Sequence, residues 1–224
     1  MLEKVHAEEY EWPIIGRLDA ARCAVLSIDW QVEYCAPDGY FADLGLDTAH
    51  IRSALGPVAE VLAAARAAGL QVVHAREGYR EDLSDCPPTK TARAIAGGRP
   101  YGGDGRYGRL LIRGEPGWQI VDEVAPLRTE WVIDKPSQGA FCTTDLDQRL
   151  RHSGIDLLVI MGTTADCCVS STLREANDRG YDCLVLTDCV TDVSPGRTEA
   201  TLEGFRINPF GATAKSKAFL AAIG

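Results

Sequence analysis

QRLRHSGIDLLVIMGTTADCCVSSTLREANDRGYDCLVLTD, residues 148–188, is the stretch whose reading decides the fold. A polar helix end runs into Gly154 and an apolar run follows, IDLLVIMG. A second helix then runs into Gly180, and a second apolar run follows, YDCLVLTD. A glycine just past a helix supplies the left-handed residue that ends it. The apolar runs are too short for helices and lack polar alternation. They therefore read as strands buried on both faces. The same unit stands earlier, as AAARAAG then LQVVHA around Gly69.

Working outward, the pattern predicts strands at 23–29, 70–75, 131–134, 155–161, 182–187 and 207–210. It predicts helices at 50–68, 116–125, 143–153, 166–179, 196–206 and 213–222. In the first helix Ile51, Leu55, Val58, Leu62 and Ala65 recur at helical spacing. Alternation of this kind specifies a three-layer α-β-α sandwich around a mainly parallel six-stranded sheet, in one domain over 1–224. Residues 77–115 break the rhythm with many Gly, Pro and Arg residues, as in IAGGRPYGGDGRYGR. A loop this long inside a compact domain is usually functional, so it is read as a substrate or oligomer loop. Its Gly103, Gly105 and Gly108 have dinucleotide-fingerprint spacing. No strand precedes them and no βαβ unit surrounds them, so they read as a solvated loop.

The chain has 224 residues and a formal net charge of −9. Nucleic acid and anionic membranes both require a basic surface, so neither is expected as a partner. No apolar run approaches a membrane span, and MLEKVHAEEYEWP has no basic start followed by an apolar stretch. The eight cysteines form no C-x-x-C pair, which points to reduced thiols and a cytoplasmic location.

Three reactive residues occupy equivalent places. Asp29 ends the strand AVLSID, Lys135 follows the strand WVID, and Cys168 follows LLVIMG at the start of a helix. A parallel sheet brings the carboxyl ends of its strands to one edge, where open α/β folds bind ligands. Cys168 falls in the first turn of a helix that Thr164 or Asp166 would cap, and the positive end of that helix favours thiolate. Exposed backbone N–H groups there would suit an oxyanion. Pro136 holds Lys135 extended. Asp29 is placed to accept the thiol proton and return it to a leaving amine. Taken singly, such a Cys is usually a buried hydrophobe, such an Asp a loop cap and such a Lys a solvated charge. Their coincidence on one edge carries the functional reading.

At these residues the chain resembles the isochorismatase-like cysteine hydrolases. The stretches that carry the resemblance are SIDWQVEY (Ser27–Tyr34), IDKPSQGAF (Ile133–Phe141) with TDL (Thr144–Leu146), and GTTADCCVSSTLR (Gly162–Arg174). The resemblance implies that family's Rossmann-like fold and a catalytic triad of Asp29, Lys135 and Cys168. It also implies a cis peptide at Thr163–Thr164 and an oxyanion hole from the N–H groups of Thr164 and Cys168. Within the family the chain is similar to the biuret hydrolases, through YEWP (10–13), HAREG (74–78), GRLLIRGEPGW (108–118) and REANDRGY (174–181). This implies a small amide or urea-like substrate of the biuret type, an acyl-enzyme, ammonia release and a homo-oligomer (dimer or tetramer). Guanylurea, triuret, ureidoacrylate and N-carbamoyl amino acids are the alternative substrates, and vinyl-ether hydrolysis the alternative reaction.

The implied substrate contacts are Gln31, Tyr34, Phe141, Thr163 and Arg206. Tyr34 stands where Phe is common, and RINPFG (206–211) stands where relatives often carry Gln-Gly-Gly. An arginine there would suit a carboxylate-bearing substrate. His74 reads as a core histidine. The nicotinamidase branch carries metal-binding histidines after this strand, but 77–90 contains none. No metal and no other cofactor is therefore expected.

Overall fold

A computed structural model of the chain describes residues 2–208 and 210–224. Its sheet has six strands: β1 (Cys23–Ile28), β2 (Gln71–Glu77), β3 (Trp131–Lys135), β4 (Leu157–Thr163), β5 (Asp182–Thr191) and β6 (Ala212–Ala214). All neighbouring pairs are parallel, in the spatial order β6-β5-β4-β1-β2-β3. The chain therefore starts in the middle of the sheet, winds out to one edge and then to the other. The switch of direction lies between β1 and β4, where a doubly wound sheet opens its crevice.

Among the described residues there are six helices of seven or more residues: α1 (Leu55–Ala67), α2 (Pro88–Ala96), α3 (Leu146–His152), α4 (Ser170–Asp178), α5 (Pro195–Ile207) and α6 (Ser216–Ile223). Two buried clusters separate the three layers. Val25, Val72, Val159 and Leu184 face Val58 and Leu62 of α1 and Phe219 of α6. Leu26, Val73 and Ile160 face Leu150 of α3, Leu173 of α4 and Phe205 of α5. Gly69, Gly154 and Gly180 have φ of +73°, +71° and +84°, the caps that the repeating unit requires. No helix of the described residues is long and apolar enough to cross a membrane.

Several boundaries depart from the sequence pattern, four of them widely. The helix expected over 50–68 is broken into Thr48–Arg52 and α1. Pro57 sits in the first turn of α1, where its missing N–H and bulky ring are tolerated only at a helix start. The helix expected over 116–125 is two 3₁₀ turns, Pro116–Trp118 and Asp122–Val124. Its backbone is bonded to the loop after β1 instead: Val121 N donates to Trp30 O at 2.9 Å, and Val32 N donates to Gln119 O at 2.9 Å. The strand expected at 207–210 begins at Ala212, because α5 continues through Ile207; Pro209 lies outside the described residues. Within 77–115 the chain forms α2 and an antiparallel ribbon in which Asp104–Gly105 pairs with Gly108–Arg109.

Candidate active site

Three neighbouring strand ends and one turn build the site. Asp29 follows β1 with φ +57°, a left-handed backbone that Asp tolerates better than most residues. Its amide donates to Ala75 O at 2.9 Å. Glu77 and Lys135 end β2 and β3 and face each other in register. Lys135, fully buried, donates from Nζ to Asp29 Oδ2 at 2.7 Å and to Ser137 O at 3.0 Å. The Glu77 amide donates to Asp29 Oδ1 at 2.9 Å. The Asp29 carboxylate is thus held by an ammonium on one oxygen and a backbone N–H on the other.

Cys168 arrives from across the switch point. Ile28 of β1 pairs with Gly162 of β4, and the peptide after Thr163 is cis. A Cβ on Gly162 would lie 2.6 Å from Ile28 Cβ, so only glycine lets the two strands close at this position. Cys168 then sits in a single π-helical turn, Ala165–Val169, that leads into α4. Neither Thr164 nor Asp166 caps it with a side chain. Asp192, after β5, does so instead: its Oδ2 accepts from Asp166 N at 3.0 Å, and Arg197 pairs with Asp192 at 2.9 Å. Thr172 ties the turn to the segment after Lys135. Its Oγ1 donates to Cys168 O at 2.7 Å and accepts from Ala140 N at 3.0 Å.

Asp29, Lys135 and Cys168 are therefore brought together. Carboxylate oxygens of Asp29 and Glu77 and the Cys168 sulfur all lie within 4.8 Å of one another. Glu77 is a site residue that the pattern reading missed. The predicted strand stopped at 75, two residues short of β2's end, and left Glu77 in a loop. Around it, Tyr79 OH donates to Oε1 at 2.8 Å, Tyr34 OH to Oε2 at 3.4 Å and Lys90 Nζ to Oε1 at 3.0 Å. Two carboxylates and a thiol are a donor set that could hold a cation. Here the ammonium groups of Lys135 and Lys90 supply the positive charge, and a metal ion would compete with Lys135 for Asp29.

A cavity of about 180 Å³ opens onto the sulfur. Its walls are Tyr34, Tyr40, Phe41, Glu77, Tyr101, Leu111, Gln138, Thr163, Thr164, Cys167 and Cys168. Tyr34 and Thr163 are thus at the cavity, and so are Tyr101 and Leu111 of the long loop. Gln31, Phe141 and Arg206 are not among its walls. Gln31 is fully buried; its Nε2 donates to Glu77 O at 2.9 Å and its Oε1 accepts from Glu77 N at 2.7 Å. It braces the β2 end. Phe141 packs on the Tyr181 ring at 5.5 Å. Arg206 is spent on Glu8 and Glu199 at the surface, because α5 carries it away from the crevice. His74 is buried against Glu130, with Nε2 and Oε2 3.1 Å apart.

The electrostatics define the resting protonation. A hydrogen bond with Cys167, burial and the Asp29 carboxylate push the Cys168 thiol well above its ordinary pKa, against a smaller pull from Lys135. These influences favour the thiol, against the thiolate expected from a helix end. Burial raises the Asp29 carboxyl, Lys135 opposes this, and Glu77 adds to the rise. Burial also works to raise Glu77, but Lys135 and Lys90 outweigh it and hold that carboxyl below the usual glutamate value. Lys135 is raised, its two carboxylate neighbours and Cys168 overcoming its burial. A buried thiol beside a carboxylate base, under a small cavity, is an arrangement for general-base-assisted nucleophilic attack.

The comparisons agree with this architecture. Residues 23–218 match the isochorismatase domain. The ureidoacrylate amidohydrolase RutB of Azorhizobium caulinodans is 31% identical over 177 residues, covering 77% of each chain. The crystal structure of a cysteine hydrolase from Pseudomonas syringae pv. phaseolicola superposes with a TM-score of 0.80 at 24% identity, over 98% of this chain and 96% of that one. That of an isochorismatase family protein from Desulfovibrio vulgaris has a TM-score of 0.74 at 27% identity, over 88% of this chain and 96% of that one. The match over residues 23–218 and a relative 31% identical over 77% of this chain show the same thing: the chain belongs to the isochorismatase domain family of hydrolases.

Proposed function

We propose that this protein is a cysteine amidohydrolase that cleaves a C–N bond in a small ureido or carbamoyl compound of the biuret type, releasing ammonia. One observation carries the reading: the Cys168 sulfur lies within 4.8 Å of the Asp29 carboxylate, which is itself anchored by Lys135. The resemblance to a ureidoacrylate amidohydrolase supports the C–N bond class. In this reading Asp29 takes the thiol proton as sulfur attacks the carbonyl carbon. The developing oxyanion is received by the backbone N–H groups of Thr164 and Cys168. Asp29 then protonates the leaving nitrogen, and the tetrahedral intermediate collapses, expelling ammonia and leaving a thioester-type acyl-enzyme. Water, deprotonated by Asp29, attacks that acyl group and regenerates the thiol. Lys135 fixes the Asp29 carboxylate throughout and offsets its charge.

Ammonia release from biuret, triuret, guanylurea and ureido acids tests the reading. Cys168→Ser is expected to lose at least about a thousandfold in kcat, with circular dichroism and Tm preserved. Wild-type-like release by a folded Cys168→Ser protein would reject the nucleophile.

A further inference from the structure

Glu77 is the only charged side chain among the cavity's walls in the described residues. Behind the walls, charges are balanced in number. The carboxylates of Asp29 and Glu77 face the ammonium groups of Lys135 and Lys90, and each ammonium is already committed: Lys135 to Asp29 at 2.7 Å, Lys90 to Glu77 at 3.0 Å. Lys90 is also fixed from its other side, donating to Pro136 O at 3.4 Å and lying 5.1 Å from the centre of the Tyr79 ring. It enters from α2, inside the long loop, and its side chain is 12% exposed. A molecule entering the cavity therefore meets an acceptor-only carboxylate among three tyrosines, Tyr34, Tyr40 and Tyr101. Among the described residues, the walls carry no cation.

From this geometry we infer that Glu77, neutralised by Lys90, is the specificity-determining residue of the cavity: it accepts from the N–H groups of uncharged substrates and turns away substrates bearing a carboxylate. The physical reason is the charge count. A neutral amide or urea leaves the buried cluster balanced and can donate its N–H groups to Glu77. A carboxylate adds an uncompensated negative charge close to the Glu77 and Asp29 carboxylates, which are buried and therefore weakly screened. Discrimination comes from that repulsion as much as from the attractive contacts. The inference deepens the proposed function by restricting its substrates to uncharged carbamoyl-ureas, not ureido acids, and the site's preference itself can be read without any turnover.

The test uses iodoacetamide and iodoacetate, which have the same reacting carbon and nearly the same size and differ in charge. Both alkylate Cys168, so the ratio of their second-order rate constants cancels the nucleophilicity of the sulfur. Rates are followed by peptide mass spectrometry, with Cys167 and Cys142 resolved separately. Wild-type Cys168 is expected to prefer iodoacetamide over iodoacetate by a larger factor than a free thiol does. Glu77→Gln, which keeps shape and releases Lys90, is expected to lower that factor about tenfold or more. Lys90→Met, which leaves Glu77 uncompensated, is expected to raise it. It also serves as the deciding variant if Glu77→Gln does not fold. A factor unchanged in Glu77→Gln, or lowered in Lys90→Met, overturns the inference. Absence of ammonia release by the wild type from every ureido compound would instead overturn the proposed function and leave the alkylation ratios to judge this one.

Discussion

Removing Lys135 is the perturbation whose consequences the structure specifies most fully. Lys135 Nζ and Asp29 Oδ2 are 2.7 Å apart, and both side chains are fully buried. At an effective dielectric constant of about 20, two unit charges at that separation attract by about 6 kcal/mol. Desolvating each ion costs several kcal/mol, so the intact pair adds little net stability. Breaking it is another matter, because one charge is left buried without its partner. Lys135→Met is expected to cost about 3–5 kcal/mol. For a domain of this size that is a Tm loss of roughly 10 °C. Asp29→Asn should cost a similar amount through the orphaned ammonium. The double variant has no orphan, so it should be more stable than the sum of the two losses predicts, by about 2 kcal/mol or more. Urea unfolding of the four proteins measures this cycle, and strictly additive losses would refute the account of a coupled buried pair.

The same variant makes a kinetic prediction with a definite sign. Asp29 must be ionised to act as base, and burial already raises its pKa while Lys135 is the main influence lowering it. Without Lys135 the pKa rises further. The acid limb of the kcat/KM profile must then move to higher pH, so activity is lost earlier as pH falls. An acid limb that stays in place, or moves to lower pH, would show that Asp29 is not the group being titrated.

Two further substitutions probe the frame. Gly162→Ala places a Cβ 2.6 Å from Ile28 Cβ and 2.7 Å from Ile28 O, prying β1 from β4 at the crevice. It should cost about 1–3 kcal/mol or more in urea unfolding, with a drop in kcat, and wild-type values of both would contradict the packing described. Arg206→Ala removes only surface ion pairs with Glu8 and Glu199. Its kcat/KM should stay within about twofold of wild type, and a large loss would bring Arg206 back as a substrate contact.

What the amino-acid sequence by itself determined was local and periodic. Apolar runs set off by Gly69, Gly154 and Gly180 specified strands buried on both faces, hence a parallel sheet, hence a shared edge for Asp29, Lys135 and Cys168. Such signals are short-range, because helix caps and strand burial act within a few residues of themselves. Tertiary structure alone decided the order β6-β5-β4-β1-β2-β3, which sets β1 beside β4 and so puts the carboxylate next to the sulfur. It also decided Glu77 and Lys90. Glu77 becomes visible only once β2 pairs with β3 out to Lys135, and Lys90 only once α2 folds back over that pair. Arg206 shows the converse: its sequence position suited a pocket, yet α5 extends far enough to turn it to the surface. The direction of the Cys168 shift also comes from the fold, since the hydrogen bond with Cys167, burial and the Asp29 and Glu77 carboxylates raise the thiol against the pull of Lys135. Desolvation and charge proximity depend on what surrounds a group in space, and a linear pattern does not carry that information.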